Sequence, residues 1–220
     1  MANKKKIEVD VDFSDTLSFY LHSGLKTAQK ISDASIEWYR NIFSLENEEK
    51  TDYFYAKGID HAKKGKYAKA IPLLSAVHQG MPQDAEVLHY LGLSYLKTGE
   101  EEKGLACLEK VTKIEGTHTK TMILLGLLYS KKKDYEKAVA VLENAVAYEK
   151  KDPALYYRLG FAYDNLKKHD KAIQCFEKAL DLDPDNVNVC QALGLAHESQ
   201  GNRDEAVAYF KKALEMEEKV

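Results

Sequence analysis

The chain has 220 residues, 45% apolar and 30% charged. That composition is globular and excludes a disordered polymer. The net charge is −3, with acids and bases mixed along the whole length, which argues against a phosphate-backbone footprint and so against nucleic acid as a partner. No run approaches the roughly 20 apolar residues of a membrane span, and the charged Met1–Asp12 stretch lacks a signal peptide's apolar core. The expected location is the cytoplasm, with any membrane approached only from the side.

Residues 1–13 read as a flexible tail. Its run Lys4, Lys5 and Lys6 is either a solvated terminus or a weak electrostatic tether to an anionic surface. In residues 14–50, Leu17, Leu21, Leu25, Ala28 and Ile31 recur at helical spacing, and Ile36, Tyr39, Ile42 and Phe43 form a second apolar face. This predicts a degenerate helical hairpin. It serves either as a cap for the array that follows or as a loosely docked element free to bind another molecule.

From residue 51 onward one pattern returns every 34 positions. Residues 51–84 carry Phe54, Gly58, His61, Ala70, Leu74 and Val77, and residues 85–118 carry Leu88, Gly92, Tyr95, Gly104, Leu108 and Val111. Residues 119–152 carry Met122, Gly126, Tyr129, Ala138, Leu142 and Ala145. Residues 153–186 carry Tyr156, Gly160, Tyr163, Ala172, Phe176, Ala179 and Pro184, and residues 187–220 carry Cys190, Gly194, His197, Ala206, Phe210 and Ala213. Each unit reads as two short helices with a turn between them. The glycine at the eighth position costs about 1 kcal/mol inside a helix, so close approach of the partner helix must offset it, with Ala70, Ala138, Ala172 and Ala206 facing that crossing. Larger residues fill the space beside it, and no unit buries its apolar face alone.

These marks resemble the tetratricopeptide repeat (TPR) family, which implies an all-α, helix-hairpin solenoid. The first two repeats, 51–118, form one arm and the last three, 119–220, another. Pro72 removes a backbone donor early in a helix, and a bend is expected around Gly104–Gly116. The last helix is expected to lack a cap helix, which leaves Tyr209, Ala213 and Leu214 as candidates for exposure and self-association.

Catalytic and metal motifs are missing: there is no HExxH, no paired CxxC, no Gly-rich phosphate loop and no GxSxG. Asp181, Asp183 and Asp185 resemble the start of a calcium loop, but Ala192 stands where the closing glutamate belongs and Pro184 intrudes. Cys107, Cys175 and Cys190 are expected as ordinary thiols, and the seven histidines lack ligand spacing. No enzyme, cofactor or metal is expected.

By resemblance to TPR arrays, set positions of the first helix face a concave groove. Position nine reads Ile59, Leu93, Leu127, Phe161 and Leu195; position five includes Tyr55, His89 and Tyr157; Arg158 adjoins Tyr157 and offers a carboxylate anchor. Such a floor suits an amphipathic helix, although position-nine residues equally suit packing against the next repeat. The carboxylate clamp of chaperone-binding TPR proteins is absent, since Tyr55, Ile59 and Tyr90 take its first three places and Leu124 stands for its arginine.

The segments LHSGLKTAQKI, YFYAKGIDHAKKGKYAKAIPLL, LHYLGLSYLKTG and YRLGFAYDNLKKHDKAIQCFEKAL resemble the MamA family of magnetosome-associated proteins from magnetotactic bacteria. The likeness runs over about 200 residues from Thr16. It implies a hook-shaped superhelix that self-assembles head to tail on the cytoplasmic face of the magnetosome membrane, peripheral to it, and recruits other magnetosome-associated proteins. The self-assembly hairpin, with Leu17, Tyr20, Leu21, Leu25, Trp38, Tyr39 and Phe43, would enter the groove of the next subunit. The rival expectation is a TPR chaperone or adaptor for a secreted or membrane-delivered client.

Overall fold

The computed structural model describes residues 47–218 together with residues 18 and 20–22. Within 47–218 lie ten helices and no strand: α1 (Asn47–Lys63), α2 (Tyr67–Gly80), α3 (Ala85–Lys97), α4 (Glu101–Ile114), α5 (Thr119–Lys131), α6 (Tyr135–Tyr148), α7 (Pro153–Asn165), α8 (His169–Leu182), α9 (Val187–Gln200) and α10 (Arg203–Glu217). They pair as five hairpins, α1–α2 through α9–α10. The chain divides into two compact units after Ile114.

The first helix of each later hairpin starts on a side-chain cap. Asp84, His118, Asp152 and Asn186 accept hydrogen bonds from the backbone N–H groups of Val87, Thr121, Leu155 and Val189. Each cap satisfies one of the donors that a helix start leaves without an intrahelical partner. Pro153 follows its cap at the first helical position, where its missing N–H loses nothing.

Each first helix ends in one shared geometry. The N–H groups of Lys66, Glu100, Asp134, Lys168 and Asn202 reach back to the carbonyls of His61, Tyr95, Tyr129, Tyr163 and His197 at 2.8–3.0 Å. This is the closing bond of a Schellman turn, and it demands a left-handed residue just past the helix. Gly65, Gly99 and Gly201 supply that residue in three hairpins, and Lys133 (φ 60°) and Lys167 (φ 61°) supply it in the other two.

Within every hairpin the two helices close on the eighth-position glycine. A Cβ on Gly160 would lie 2.6 Å from Phe176 Cε1 and 3.1 Å from the Ala172 carbonyl oxygen; on Gly126 or Gly194 it would lie 2.5 Å from Leu142 or Phe210. The expected close approach is therefore present. The atoms that fill it come from the large residue sixteen positions on, while the small residue twelve positions on brings its backbone near. Gly104 belongs to the same device, since a Cβ there would meet Leu96 at 2.7 Å and the Gly92 carbonyl at 2.9 Å. It lies inside unbroken α4, so at this position it serves helix packing.

The core of the first unit gathers Phe54, Ile59, Ala62, Leu73, Leu74, Val77, Val87 and Leu91. In the second unit Leu125, Leu142, Leu155, Leu193, Ala172 and Ala179 are buried. Each fully buried large side chain contributes roughly 1.5–3 kcal/mol. Pro72 sits inside α2, where the Ala68 carbonyl loses its usual helical partner. Cys190 is buried, Cys107 and Cys175 are half-buried, and all three thiols are free. At α10, Ala213 is buried, Tyr209 is half-buried and Leu214 is exposed.

Two outcomes test this account. Gly160→Ala should destabilise by about 1–3 kcal/mol, despite alanine's better helix propensity, because Phe176 is buried and cannot swing away; urea unfolding measures it. Lys133→Gly and Lys167→Gly should each stabilise by about 0.5–1 kcal/mol by removing left-handed strain, and should raise the thermal midpoint.

Candidate functional site

The first helices of the hairpins carry the residues expected to line a groove, and the two units treat them differently. In the first unit, Ile59 and Phe54 on α1 turn into the core, with Tyr55 and Tyr90 packed against that cluster. Ile59 is 6% exposed and His89 8%, so neither forms a groove floor. Ile59 thus takes the packing alternative open to position nine, and His89 is likewise enclosed, its ring edge-on to Tyr90 at 5.2 Å. Leu93 is half-buried.

What remains at that surface is a polar and aromatic seam between α1 and α3. Tyr55 Oη donates to Glu86 Oε2 at 2.8 Å, Lys63 Nζ lies 4.0 Å from Glu86 Oε1, and the same ammonium sits 5.3 Å from the centre of the Tyr90 ring. Partial burial and the carboxylate of Glu86 push the Tyr55 hydroxyl well above its ordinary value. Glu86 was not singled out in the sequence. Its signal was position two of the repeat, beside Tyr55 in the neighbouring hairpin.

In the second unit the position-nine residues are open. Leu127 on α5, Phe161 on α7 and Leu195 on α9 are 42%, 44% and 55% exposed. They stand at one position of three consecutive hairpins, so they form a ladder of apolar side chains. Around Phe161, the Tyr135 ring packs edge-on at 6.4 Å. Tyr157 is half-buried, with its ring 5.7 Å from Phe176, so it leans toward the hairpin interior as well as the surface. Arg158 Nη1 donates to the Ala154 carbonyl at 3.1 Å, while its buried Nε has no hydrogen-bond partner. Its guanidinium is partly committed and keeps donors for an acceptor that approaches α7.

A second cluster joins α6, α7 and α8. Buried Tyr163 donates to Glu143 Oε1, and Lys171 Nζ lies 5.2 Å from the Tyr163 ring centre. Burial, and then Glu143, push the Tyr163 hydroxyl upward. Burial, and then Glu143, also push the Cys175 thiol up to about 11, against a small opposing pull from Lys171. The cluster latches one repeat to the next and leaves the thiol protonated and unreactive.

Of the expected self-assembly hairpin, Tyr20 is half-buried and Leu21 is exposed in a helical segment, and the neighbouring His22 ring lies 6.0 Å from Tyr53 of α1. Leu17, Leu25, Trp38, Tyr39 and Phe43 lie outside the described residues. Among the described residues, no three or more His, Cys, Asp or Glu side chains gather as a metal site. No described helix is long and apolar enough to cross a membrane.

Stacked helix hairpins with an exposed apolar ladder define a tetratricopeptide repeat protein, a class that binds other polypeptides. Family models agree: tetratricopeptide repeat models match residues 153–186 and 187–220, a TPR repeat model matches 126–167, and a model described as anaphase-promoting complex, cyclosome, subunit 3 matches 63–145. "Magnetosome protein MamA" of Magnetospirillum gryphiswaldense is 34% identical over 77 residues, 35% of this chain and 36% of that protein. The protein of the same name from Paramagnetospirillum magnetotacticum is 34% identical over 80 residues, 36% of this chain and 37% of that protein. These alignments thus span little more than a third of the curated relatives. A solved MamA structure from strain AMB-1 superposes with a TM-score of 0.75 at 34% identity, covering 79% of this chain and 95% of that one. One from strain MSR-1 gives 0.71 at 36% identity, covering 77% and 97%. The chain belongs to the MamA family of tetratricopeptide repeat proteins.

The Cys175 environment yields a pH outcome. A thiol whose folded value is raised from 9.0 to about 11 binds more protons folded than unfolded between those limits. Stability is therefore full below about pH 9 and falls as pH rises toward 11, and the raised tyrosines Tyr55 and Tyr163 act in the same direction. Alkaline unfolding titrations should show this decline. At pH 8 the folded protein should react with thiol reagents at Cys175 roughly 100-fold more slowly than an ordinary cysteine, from the smaller thiolate fraction.

Proposed function

We propose that this protein is a non-enzymatic interaction scaffold that assembles with copies of itself at the magnetosome membrane and holds other magnetosome proteins there. One observation carries the reading: Leu127, Phe161 and Leu195 remain exposed at the same position of three consecutive hairpins. A folded array that leaves such a ladder open has a surface matched to an amphipathic segment. Magnetosome placement follows from the family, whose curated members bear that name. The segment proposed to fill the ladder is the 14–50 hairpin of a neighbouring copy, whose Leu21 is exposed. A contact between two different surfaces of one chain need not close, and it allows large assemblies.

A labelled peptide of residues 14–50, titrated onto residues 51–220, tests the contact. Saturable binding is expected, and Phe161→Asp with Leu195→Asp should weaken it at least roughly tenfold, as for a buried apolar anchor. Light scattering on the full chain should show large species that disappear when residues 1–50 are deleted. Large species that persist after that deletion would remove the hairpin as the linking element. A stable one-to-one complex with a small client and no self-assembly would favour a chaperone instead.

A further inference from the structure

The second unit is electrically lopsided. Its helices are 13–15 residues long, so the turns inside hairpins and the turns between hairpins lie roughly 20 Å apart, at opposite ends of the stack. The turns inside the first two hairpins of this unit carry Lys131, Lys132 and Lys133, then Lys167 and Lys168, all exposed. The other end carries the exposed Lys150 and Lys151 in its first inter-hairpin turn, but its next turn carries Asp181, Asp183 and Asp185, and the end of α10 carries Glu215, Glu217 and Glu218. We propose that the lysine turns of one copy dock on the acidic turns of a second copy, giving an edge-to-edge contact between scaffold subunits.

Three observations support it. First, four of these five lysines are uncommitted. The ammonium groups of Lys132, Lys133, Lys167 and Lys168 make no hydrogen bond or ion pair among the described residues. The acids beside them are engaged: Asp134 Oδ2 lies 2.7 Å from Lys137 Nζ, and Asp164 Oδ1 lies 2.7 Å from His169 Nδ1. Second, Lys133 and Lys167 occupy the left-handed turn position that glycine takes at Gly65, Gly99 and Gly201. Side-chain-bearing residues disfavour that conformation, so the two lysines sit there against the local preference of the backbone. Third, the spacings match. Lys133 and Lys167 are one repeat apart, and the two acidic turns are also one repeat apart. Two steps of positive charge therefore meet two steps of negative charge in register, which fixes partner and orientation.

This inference rests on the self-assembly reading but uses different surfaces, so the two fail separately. The full chain is compared by sedimentation velocity at about 50 mM and about 500 mM salt, which spans strong to weak screening. Assemblies should shrink at high salt. Lys132→Glu with Lys167→Glu, and separately Asp185→Lys with Glu218→Lys, should each lower the association constant at least roughly tenfold. An equimolar mixture of the two variants should recover it, because one then presents acidic edges and the other basic edges. Lys133→Gly with Lys167→Gly should raise the thermal midpoint and still weaken association, a pairing that a purely structural role does not produce. A mixture that fails to recover assembly overturns the contact. So does retention of assembly by the Lys→Glu variant, including the case in which that variant instead loses binding to vesicles containing anionic lipid.

Discussion

The structure depends on how closely two helices approach within each hairpin. Gly58, Gly92, Gly126, Gly160 and Gly194 admit the side chain of Leu74, Leu108, Leu142, Phe176 or Phe210 to a distance that no Cβ would tolerate. That contact sets the hairpin's geometry, and the hairpin sets the face offered to the next repeat. Side chains at such a crossing are held on all sides, because interiors pack as densely as organic crystals. Gly92 and Gly104 show the extreme case, with glycine on both helices and backbone facing backbone.

The turns obey an equally uniform rule with two chemical solutions. Five Schellman closures share one backbone geometry, yet three use glycine and two use lysine at the left-handed position. Glycine relieves the backbone, whereas lysine places charge at the edge of the stack. The helix starts repeat as faithfully, with Asp84, His118, Asp152 and Asn186 capping at one position through three different side-chain chemistries. What recurs is the need for an acceptor, and the residue type varies around it.

The position-nine residues show how one repeat position takes two roles. In the first unit Ile59 joins the core beneath Tyr55 and Tyr90. In the second unit Leu127, Phe161 and Leu195 face solvent. Tyr55 and Tyr90 pack against the same core cluster as Ile59, whereas Tyr157 packs its ring against Phe176 and Phe161 stands open. The exposed apolar ladder is therefore a property of the second unit.

The recurrence of small, aromatic and apolar residues every 34 positions was enough to define the helices, their pairing and the reason for each glycine, because those are local and near-neighbour constraints that every repeat states again. The lysines at 133 and 167 were legible as charge, but not as strained backbone, since φ depends on the turn that closes around them. Which position-nine residues lie open, and the bonding of Tyr55 to Glu86 and Tyr163 to Glu143, were not readable from periodicity. Those features arise between repeats, where side chains distant in sequence compete for the same space, and only the folded packing settles that competition.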